Sequence, residues 1–329
     1  MALFCSSDEL AGLATPAEYV DVVRDGYRQR GEGAPARPRT RITGGDPPGM
    51  LTGYSAILPE TGAMGGYMYA AGFGVGDAHF VLPLFDAGSG EPLAVLDGAH
   101  MNPYKTGATG AVGIDALARE DATDLAVIGS GSQARGQLRA AVTVREFDTV
   151  RVFSPTRESR ESFADSMDAE LGPDVRAVDS STAAVADADV VVTATTAAEP
   201  VFDDADLPDG AHVTVMGQYD PEKREVSGET VARSTYVPDL RERAPIDAGA
   251  YVLAREEGLI GEDHVHAELG EIVAGEAPGR TGPDEVTLFD SGGTAIETVA
   301  AGHMLYERAR EQGLGTEIDF TPASQAFEG

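Results

Sequence analysis

Three small residues, Gly129, Gly131 and Ala134, follow a short apolar stretch and precede a helical one. Gly129 suits a tight turn, Gly131 lets a phosphate approach the backbone, and Ala134 lets the helix pack close to the strand. The N–H groups at the start of that helix then face an anion. The pattern predicts a dinucleotide site, and hence a nicotinamide enzyme; the alternative is a plain strand–turn–helix connection. The predicted cofactor contacts are Gly129, Ser130, Gly131, Ser132, Gln133 and Ala134.

The residues after the second predicted strand, Thr149–Phe153, bear on which dinucleotide binds. An acidic residue at this place would bind the ribose 2′-hydroxyl of NAD. The sequence instead has Ser154, Thr156 and Arg157, whose hydroxyl and guanidinium groups suit a 2′-phosphate. We therefore expect NAD(P) binding with a preference for NADP. The alternative is that Arg157 and Arg160 are solvated residues in the first turn of the next helix.

The composition is that of an acidic, globular protein. The 329 residues carry a formal net charge of −31, which argues against a nucleic-acid partner. Such a charge repels itself unless salt screens it, so we expect a halophilic source. The sequence has no apolar run long enough for a membrane span, its acidic start does not resemble a signal peptide, and its one cysteine, Cys5, cannot form an internal disulfide. We expect a cytoplasmic protein with no membrane partner.

Lysine is rare in this chain, which has 24 basic residues of which only Lys105 and Lys223 are lysines. A chain that has replaced lysine almost everywhere could keep it where chemistry requires it. Lys105 opens a segment of small residues that predicts a helix, and Lys223 follows the predicted strand Val213–Met216. With only two lysines, chance placement is the alternative.

Strands and helices alternate from Asp124 to about Ser291, which predicts an α/β fold with a doubly wound parallel sheet of the Rossmann type. The preceding region is rich in glycine and proline and then strand-like, which suggests an α+β domain. The last predicted helix, Thr294–Arg310, has an apolar face that needs a partner, and we expect it to return to this first domain. The predicted domains are 1–118 with 294–329, for substrate binding and dimerisation, and 119–293, for NAD(P) binding.

Several motifs together resemble the ornithine cyclodeaminase/mu-crystallin family, which includes archaeal alanine dehydrogenases and cyclic-imine (ketimine) reductases. The resemblance covers most of the chain. It is carried by the segments Lys105-Thr106-Gly107-Ala108, Ile128–Ala134, Asp220-Pro221-Glu222-Lys223-Arg224-Glu225, Ala267–Ile272 and Phe289–Glu297.

The resemblance implies a homodimer that binds a small amino or imino acid beside the nicotinamide. In the family an aspartate past a Rossmann strand moves a proton or orients the substrate nitrogen; it corresponds to Asp220, for which a turn aspartate before proline is the alternative. The family arginine that binds the substrate carboxylate corresponds to Lys105, which keeps the charge without the planar fork. The other substrate contacts that the resemblance implies are Thr106, Gly292 and Arg41, with Arg39 as the alternative to Arg41. The implied cofactor contacts are Thr195 and Ser291.

The chain departs from the family in one stretch. A Gly-x-Lys pattern is expected there, but the sequence reads Gly65-Gly66-Tyr67-Met68-Tyr69. Without this lysine, the sequence identifies neither the substrate nor the class of reaction. We expect an NAD(P)-dependent oxidoreductase acting on an amino acid or cyclic imine. A cyclodeaminase lyase that uses NAD catalytically and a non-catalytic binder are the alternatives. We predict no metal site, because His264 and His266 have no evident third ligand.

Overall fold

A computed structural model describes residues 1–73, 75–216 and 219–326 of the chain. The strands are β1 (Ala2–Cys5), β2 (Ala36–Gly45), β3 (Pro48–Leu58), β4 (Ala63–Gly65), β5 (Met68–Gly72), β6 (Val75–Asp86), β7 (Pro92–Asp97), β8 (Asp124–Ile128), β9 (Thr149–Phe153), β10 (Asp174–Ala177), β11 (Val190–Thr193), β12 (His212–Met216), β13 (Thr235–Pro238), β14 (Thr287–Ser291) and β15 (Thr316–Ile318). The helices are α1 (Ser7–Leu10), α2 (Pro16–Gly31), α3 (Met101–Leu117), α4 (Ser132–Ala141), α5 (Arg157–Glu170), α6 (Ser181–Val185), α7 (Gly228–Arg233), α8 (Ala244–Asp247), α9 (Gly249–Glu256), α10 (Leu269–Val273) and α11 (Ala295–Glu311).

The chain divides into two compact units. The first comprises Met1–Thr15, Gly33–Asn102 and Thr294–Gly329, and the second comprises Pro16–Glu32 and Pro103–Gly293. Both this division and the division predicted from the sequence have a boundary between Gly293 and Thr294. The compact second unit also takes in α2 and most of α3, which the sequence-based division assigns to the other domain.

The second unit contains a parallel sheet of seven strands in the order β10-β9-β8-β11-β12-β14-β13. The strand order reverses between β8 and β11, which confirms the predicted doubly wound Rossmann fold. Strands β11, β12 and β14 are buried along their whole length, since helices cover both faces of such a sheet. The sheet brings the ends of β8, β11, β12 and β14 to one edge, where ligands bind in open α/β folds.

The first unit contains an eight-stranded mixed sheet in the order β15-β1-β7-β6-β4-β3-β2, with β5 pairing with β3 and β6. The glycine- and proline-rich residues 31–53 contain β2 and the first part of β3, and these two strands form a long antiparallel hairpin. The glycines of this hairpin make room for an aromatic ring, because a Cβ on Gly44 or Gly49 would lie 2.7 or 2.6 Å from Phe73. Glycine therefore reflects close packing at these positions and not a loop.

Helix α11 packs on the sheet of the first unit. A Cβ on Gly302 would lie 2.4 Å from Leu82 in β6, so the helix backbone lies directly on the strand. The helix begins with a capping box in which Thr294 and Glu297 bind each other's backbone N–H groups. Within the described residues, no helix is long and apolar enough to cross a membrane.

Candidate active site

The predicted glycine turn joins β8 to α4. Gly129 has φ +126°, and a Cβ there would lie 2.3 Å from the carbonyl oxygen of Ala194, so only glycine fits. Gly131 is the N-cap residue of α4 and brings no side chain to the helix start. A Cβ on Gly131 would have no described atom within 4 Å, so space lies beside the first N–H groups of the helix. These features fit a dinucleotide pyrophosphate.

Helix α3 lies against the start of α4 with almost no side chain between them. A Cβ on Gly107 would lie 2.2 Å from the Gly136 carbonyl oxygen, and one on Gly136 would lie 2.1 Å from the Pro103 carbonyl oxygen. This contact places Thr106 at the turn, where its hydroxyl donates to Oε1 of Gln133 over 2.6 Å. One predicted substrate residue, Thr106, and one predicted cofactor residue, Gln133, are thus in direct contact.

The predicted ribose-binding residues lie at the end of β9. The Ser130 hydroxyl donates to the Ser154 hydroxyl over 3.0 Å, so the glycine turn and the end of β9 are joined. Thr156 is the N-cap residue of α5, and Arg157 is the first residue of that helix. The Arg157 side chain is 76% exposed and pairs with Glu161. Arg160 is buried instead, where it donates to the Ser154 carbonyl and to Asp179.

Lys105 lies in the first part of α3 and is 1% exposed. Burying an ammonium group is costly unless it is compensated, so a buried lysine in a chain with two lysines marks a specialised position. Its carbonyl oxygen accepts the Thr109 hydroxyl one helical turn later. Lys223, the other lysine, is half exposed and lies 3.7 Å from Asp220. Lys105 is therefore a buried residue, whereas Lys223 is a partly exposed residue next to an acid.

Asp220 lies four residues after the end of β12, at the carboxyl edge of the parallel sheet. Its side chain is 30% exposed. Oδ1 accepts the backbone N–H of Glu222 at 3.1 Å, and the Asp220 carbonyl accepts that of Lys223, which fixes a tight turn. A Cβ on Gly249 would lie 2.5 Å from the Asp220 carbonyl oxygen, so the first residue of α9 packs directly against the backbone of this turn. The carboxylate is partly open and rigidly held.

A buried carboxylic acid, Glu225, connects this turn to the end of β11. Oε1 accepts the backbone N–H of Thr195 at 2.7 Å, and Oε2 accepts the hydroxyl of Thr193 at 2.9 Å. Burial raises the pKa of Glu225 to about 7, against the lowering effect of these hydrogen bonds. Thr195 is a predicted cofactor residue whose methyl carbon lies close to where a Cβ on Gly129 would be. The sequence motif contains Glu225, but only the fold reveals its partners.

Strand β14 ends at Ser291 and leads into a turn that begins with Gly292; both residues are buried. Asp239, at the end of β13, accepts the backbone N–H groups of Gly292 and Gly293. A second acid, Asp290, shares with Asp239 the guanidinium of Arg243, which is 1% exposed. Burial raises the pKa of Asp290, and the Arg243 guanidinium opposes that rise. Sequence reasoning missed this network; acidic residues inside or directly after buried strands were the available signal.

The remaining predicted residue, Arg41, belongs to the first unit. It lies in β2 opposite Thr52 and is exposed. The register of β2 shifts between Arg37 and Thr40, and this bulge turns Arg39 so that its guanidinium lies over the Tyr54 ring, 5.4 Å from the centroid. Arg39 is half-buried. No group of potential metal ligands occurs in the part of the chain that the structure describes.

Comparison with known proteins agrees with this geometry. The sequence profile of the ornithine cyclodeaminase/mu-crystallin family matches residues 69–313. A Delta(1)-pyrroline-2-carboxylate reductase of Bacillus cereus is 36% identical over 73% of this chain and 74% of its own length. The structure of the Thermococcus litoralis Delta(1)-pyrroline-2-carboxylate reductase in complex with NADH and L-proline has a TM-score of 0.91, 32% identity, and coverage of 96% of this chain and 100% of that one. An archaeal alanine dehydrogenase dimer with bound NAD has a TM-score of 0.90, 28% identity, and coverage of 97% and 99%.

The fold, the glycine turn and the relatives together define a nicotinamide-dependent oxidoreductase. The profile match spans well over half of the chain, and a relative above 30% identity covers more than two thirds of it. The chain belongs to the ornithine cyclodeaminase/mu-crystallin family.

The raised pKa of Glu225 predicts a stability difference that depends on pH. The ordinary pKa is 4.5 and the folded one about 7, so the folded state binds the proton more tightly, and stability is lost as pH rises between these values. Gln in place of Glu225 keeps the shape and carries no charge. We expect Glu225→Gln to gain stability relative to wild type as pH rises from 5 to 8, by up to about 3 kcal/mol.

Thermal melts across that pH range in molar KCl measure this difference. Glu222→Gln, on an exposed acid of the same segment, is the matched control. If both variants follow the wild-type pH dependence, the buried Glu225 carboxyl is not the titrating group.

Proposed function

We propose that the protein is an NAD(P)H-dependent imine reductase, or equally an amino-acid dehydrogenase in the reverse direction, with Delta(1)-pyrroline-2-carboxylate as the first substrate to test. The main support is the position of Asp220, a partly open carboxylate fixed at the same sheet edge as the glycine turn. The similar Delta(1)-pyrroline-2-carboxylate reductases of Bacillus cereus and Thermococcus litoralis support the choice of substrate.

The predicted site residues of the second unit have separate roles in this proposal. A bound nicotinamide supplies or accepts the hydride. Asp220 holds the substrate nitrogen or exchanges its proton, since a carboxylate can do both at hydrogen-bond range. Lys105 provides the positive charge for a substrate carboxylate, and Thr106 positions the side chain of Gln133 beside the turn. Arg41 of the first unit stays a prediction as a second cation, with Arg39 as the alternative.

Cofactor balance distinguishes this proposal from its alternatives. A reductase consumes one NAD(P)H for each imine, so the nicotinamide absorbance falls with turnover. A cyclodeaminase returns the hydride to its cofactor, so ornithine disappears without net change in absorbance. A non-catalytic binder changes neither.

Replacing Asp220 by Asn tests the central role. The amide keeps the shape but cannot take a proton, so we expect the turnover number to fall by roughly 10²–10⁴, while the dissociation constant of the nucleotide stays unchanged.

Lys105→Ala should instead raise KM if the contact between Lys105 and the substrate is equally strong in ground and transition states. The assay is steady-state reduction of Delta(1)-pyrroline-2-carboxylate.

Glu222→Gln is the control for Asp220→Asn, because Glu222 lies in the same turn with an exposed side chain. Near-wild-type turnover in Asp220→Asn, or an equal loss in both variants, would remove Asp220 from the proton-transfer step.

We also infer a preference for NADP, although the relatives described above are recorded with NAD or NADH. Two observations support this inference. Segment 153–157 has hydroxyl groups and a guanidinium but no acid, and Arg157 projects from the first turn of α5.

If Arg157 binds the 2′-phosphate, removing its side chain should weaken the binding of NADPH and not that of NADH. We expect NADPH to bind more tightly than NADH, and Arg157→Ala to weaken NADPH by about tenfold, the size of one charge-assisted contact, with little change for NADH. Fluorescence titration in molar KCl measures both. Arg176→Ala is the control, because Arg176 is also an exposed, paired arginine, in the neighbouring strand β10. Equal NADPH and NADH affinities in the wild type would show that 154–157 does not select the 2′-phosphate.

We propose further that two copies of the chain associate through the sheet of the first unit. Ile42, Leu51, Met68 and Val81 are exposed. They share one face, since Ile42 pairs with Leu51, and Met68 pairs with both Gly53 and Val81. A row of apolar side chains on an acidic protein indicates a covered surface. A second copy is the occupant we favour, because a similar alanine dehydrogenase is a dimer.

Charge on this face should separate the copies. We expect Met68→Glu to elute at the mass of one chain and the wild type at the mass of two, by light scattering in molar KCl. Ile246→Glu, on an exposed apolar residue of the second unit, is the control and should stay dimeric. The net charge of −31 further predicts that the wild-type dimer weakens when KCl is lowered to millimolar levels. A monomeric wild type in molar KCl would overturn this proposal.

A further inference from the structure

The carboxylate of Asp239 makes four hydrogen bonds. Oδ1 accepts from Nε of Arg243 at 2.7 Å and from the backbone N–H of Leu240 at 2.8 Å. Oδ2 accepts from the backbone N–H groups of Gly292 at 2.8 Å and Gly293 at 2.9 Å. A carboxylate oxygen has two acceptor sites, so all four sites of Asp239 are used. The residue is fully buried.

Arg243 holds Asp239 in place and also touches the turn. Its guanidinium pairs with Asp239, Asp247 and Asp290, and it donates to the Asp290 carbonyl at 2.9 Å. A Cβ on Gly292 would lie 2.5 Å from the guanidinium carbon, so the flat face of Arg243 lies directly on the glycine backbone. The turn at 291–293 is therefore fixed both by hydrogen bonds and by contact.

The turn at 291–293 lies at the edge of the sheet where a dinucleotide would bind. Strand β14 pairs in parallel with β12, and Ser291 lies beside Met216 at the ends of the two strands. The strand order reverses between β8 and β11, and a dinucleotide crosses the sheet at such a point. The glycine turn after β8 and the end of β9 take the adenosine half, so the half of the sheet that contains β11, β12 and β14 faces the nicotinamide.

We propose that Asp239 is a positioning residue that, held by Arg243, sets the backbone turn 291–293 against the nicotinamide half of the cofactor. This inference rests on the proposed nucleotide binding but not on the proposed substrate. The backbone N–H groups of Gly292 and Gly293 are committed to Asp239. The turn therefore contributes a fixed wall to the site, and its amides are not an anion-binding pair.

Asp239→Asn changes this arrangement selectively. An amide has one acceptor oxygen, so its NH₂ group must face either the two glycine N–H groups or Arg243 and Leu240. In both cases donors oppose donors. Asp247→Asn is the matched control, because Asp247 also pairs with Arg243, through Nη1, whereas the backbone N–H groups of both glycines donate to Asp239. Gly292→Ala is a second variant, since its Cβ would displace the turn from Arg243 and leave both charges intact.

The first measurement needs no ligand. Amide hydrogen exchange should be at least tenfold faster in the peptide containing 291–293 of Asp239→Asn than in wild type or Asp247→Asn. Exchange in the peptide containing the Gly129 turn should not change. Equal exchange of residues 291–293 in all three proteins would overturn the anchoring by Asp239.

The second measurement compares NADH with ADP-ribose, which lacks the nicotinamide, by calorimetric titration. We expect Asp239→Asn and Gly292→Ala to weaken NADH by about tenfold and ADP-ribose by less than twofold, with neither changed in Asp247→Asn. An equal loss for both ligands, or no loss for either, would overturn the proposal. A protein that shows the expected binding differences but reduces no imine would contradict the proposed function and leave this inference intact.

Discussion

A carboxylate that is buried at the end of a parallel strand must find compensation, and this constraint shapes the loops of the second unit. Asp239 is compensated by a guanidinium and by backbone N–H groups. Glu225 accepts the hydroxyl of Thr193 and the backbone N–H of Thr195, and it has a neighbouring negative charge at Asp290. Burial of Glu225 therefore raises its pKa to about 7.

These buried acids connect segments that lie far apart in the sequence. Glu225 connects the segment containing Asp220 to Thr195. Two backbone hydrogen bonds strengthen this connection: the N–H of Arg224 donates to the carbonyl of Ala198, and the N–H of Val201 donates to the carbonyl of Glu225. Asp239 ties the end of β13 to the turn after β14. The cofactor edge of the sheet is thus built from loops whose positions depend on side-chain hydrogen bonds. A site assembled in this way keeps its geometry before any ligand arrives, which lowers the entropic cost of binding.

The parts of the fold that could be predicted from the sequence are those with local signals. The period and apolar content of 124–291 identify the strands of the parallel sheet, and β9 has the predicted bounds, Thr149–Phe153. The hairpin of β2 and β3 was not predictable, because the glycines that read as a loop are explained only by the ring of Phe73. Arg243 was equally hidden, since its partners Asp239 and Asp290 come together only when β13 and β14 pair.

The missing lysine in the stretch Gly65–Tyr69 has a physical counterpart in the first unit. Tyr67 is 1% exposed, and its hydroxyl donates to the carbonyl oxygen of Gly98 at 3.0 Å. A Cβ on Gly98 would lie 2.4 Å from that hydroxyl oxygen, so the glycine makes room for the tyrosine. The ring also packs on Phe80, with the centroids 5.1 Å apart. This stretch therefore contributes packing where the family pattern has a cation.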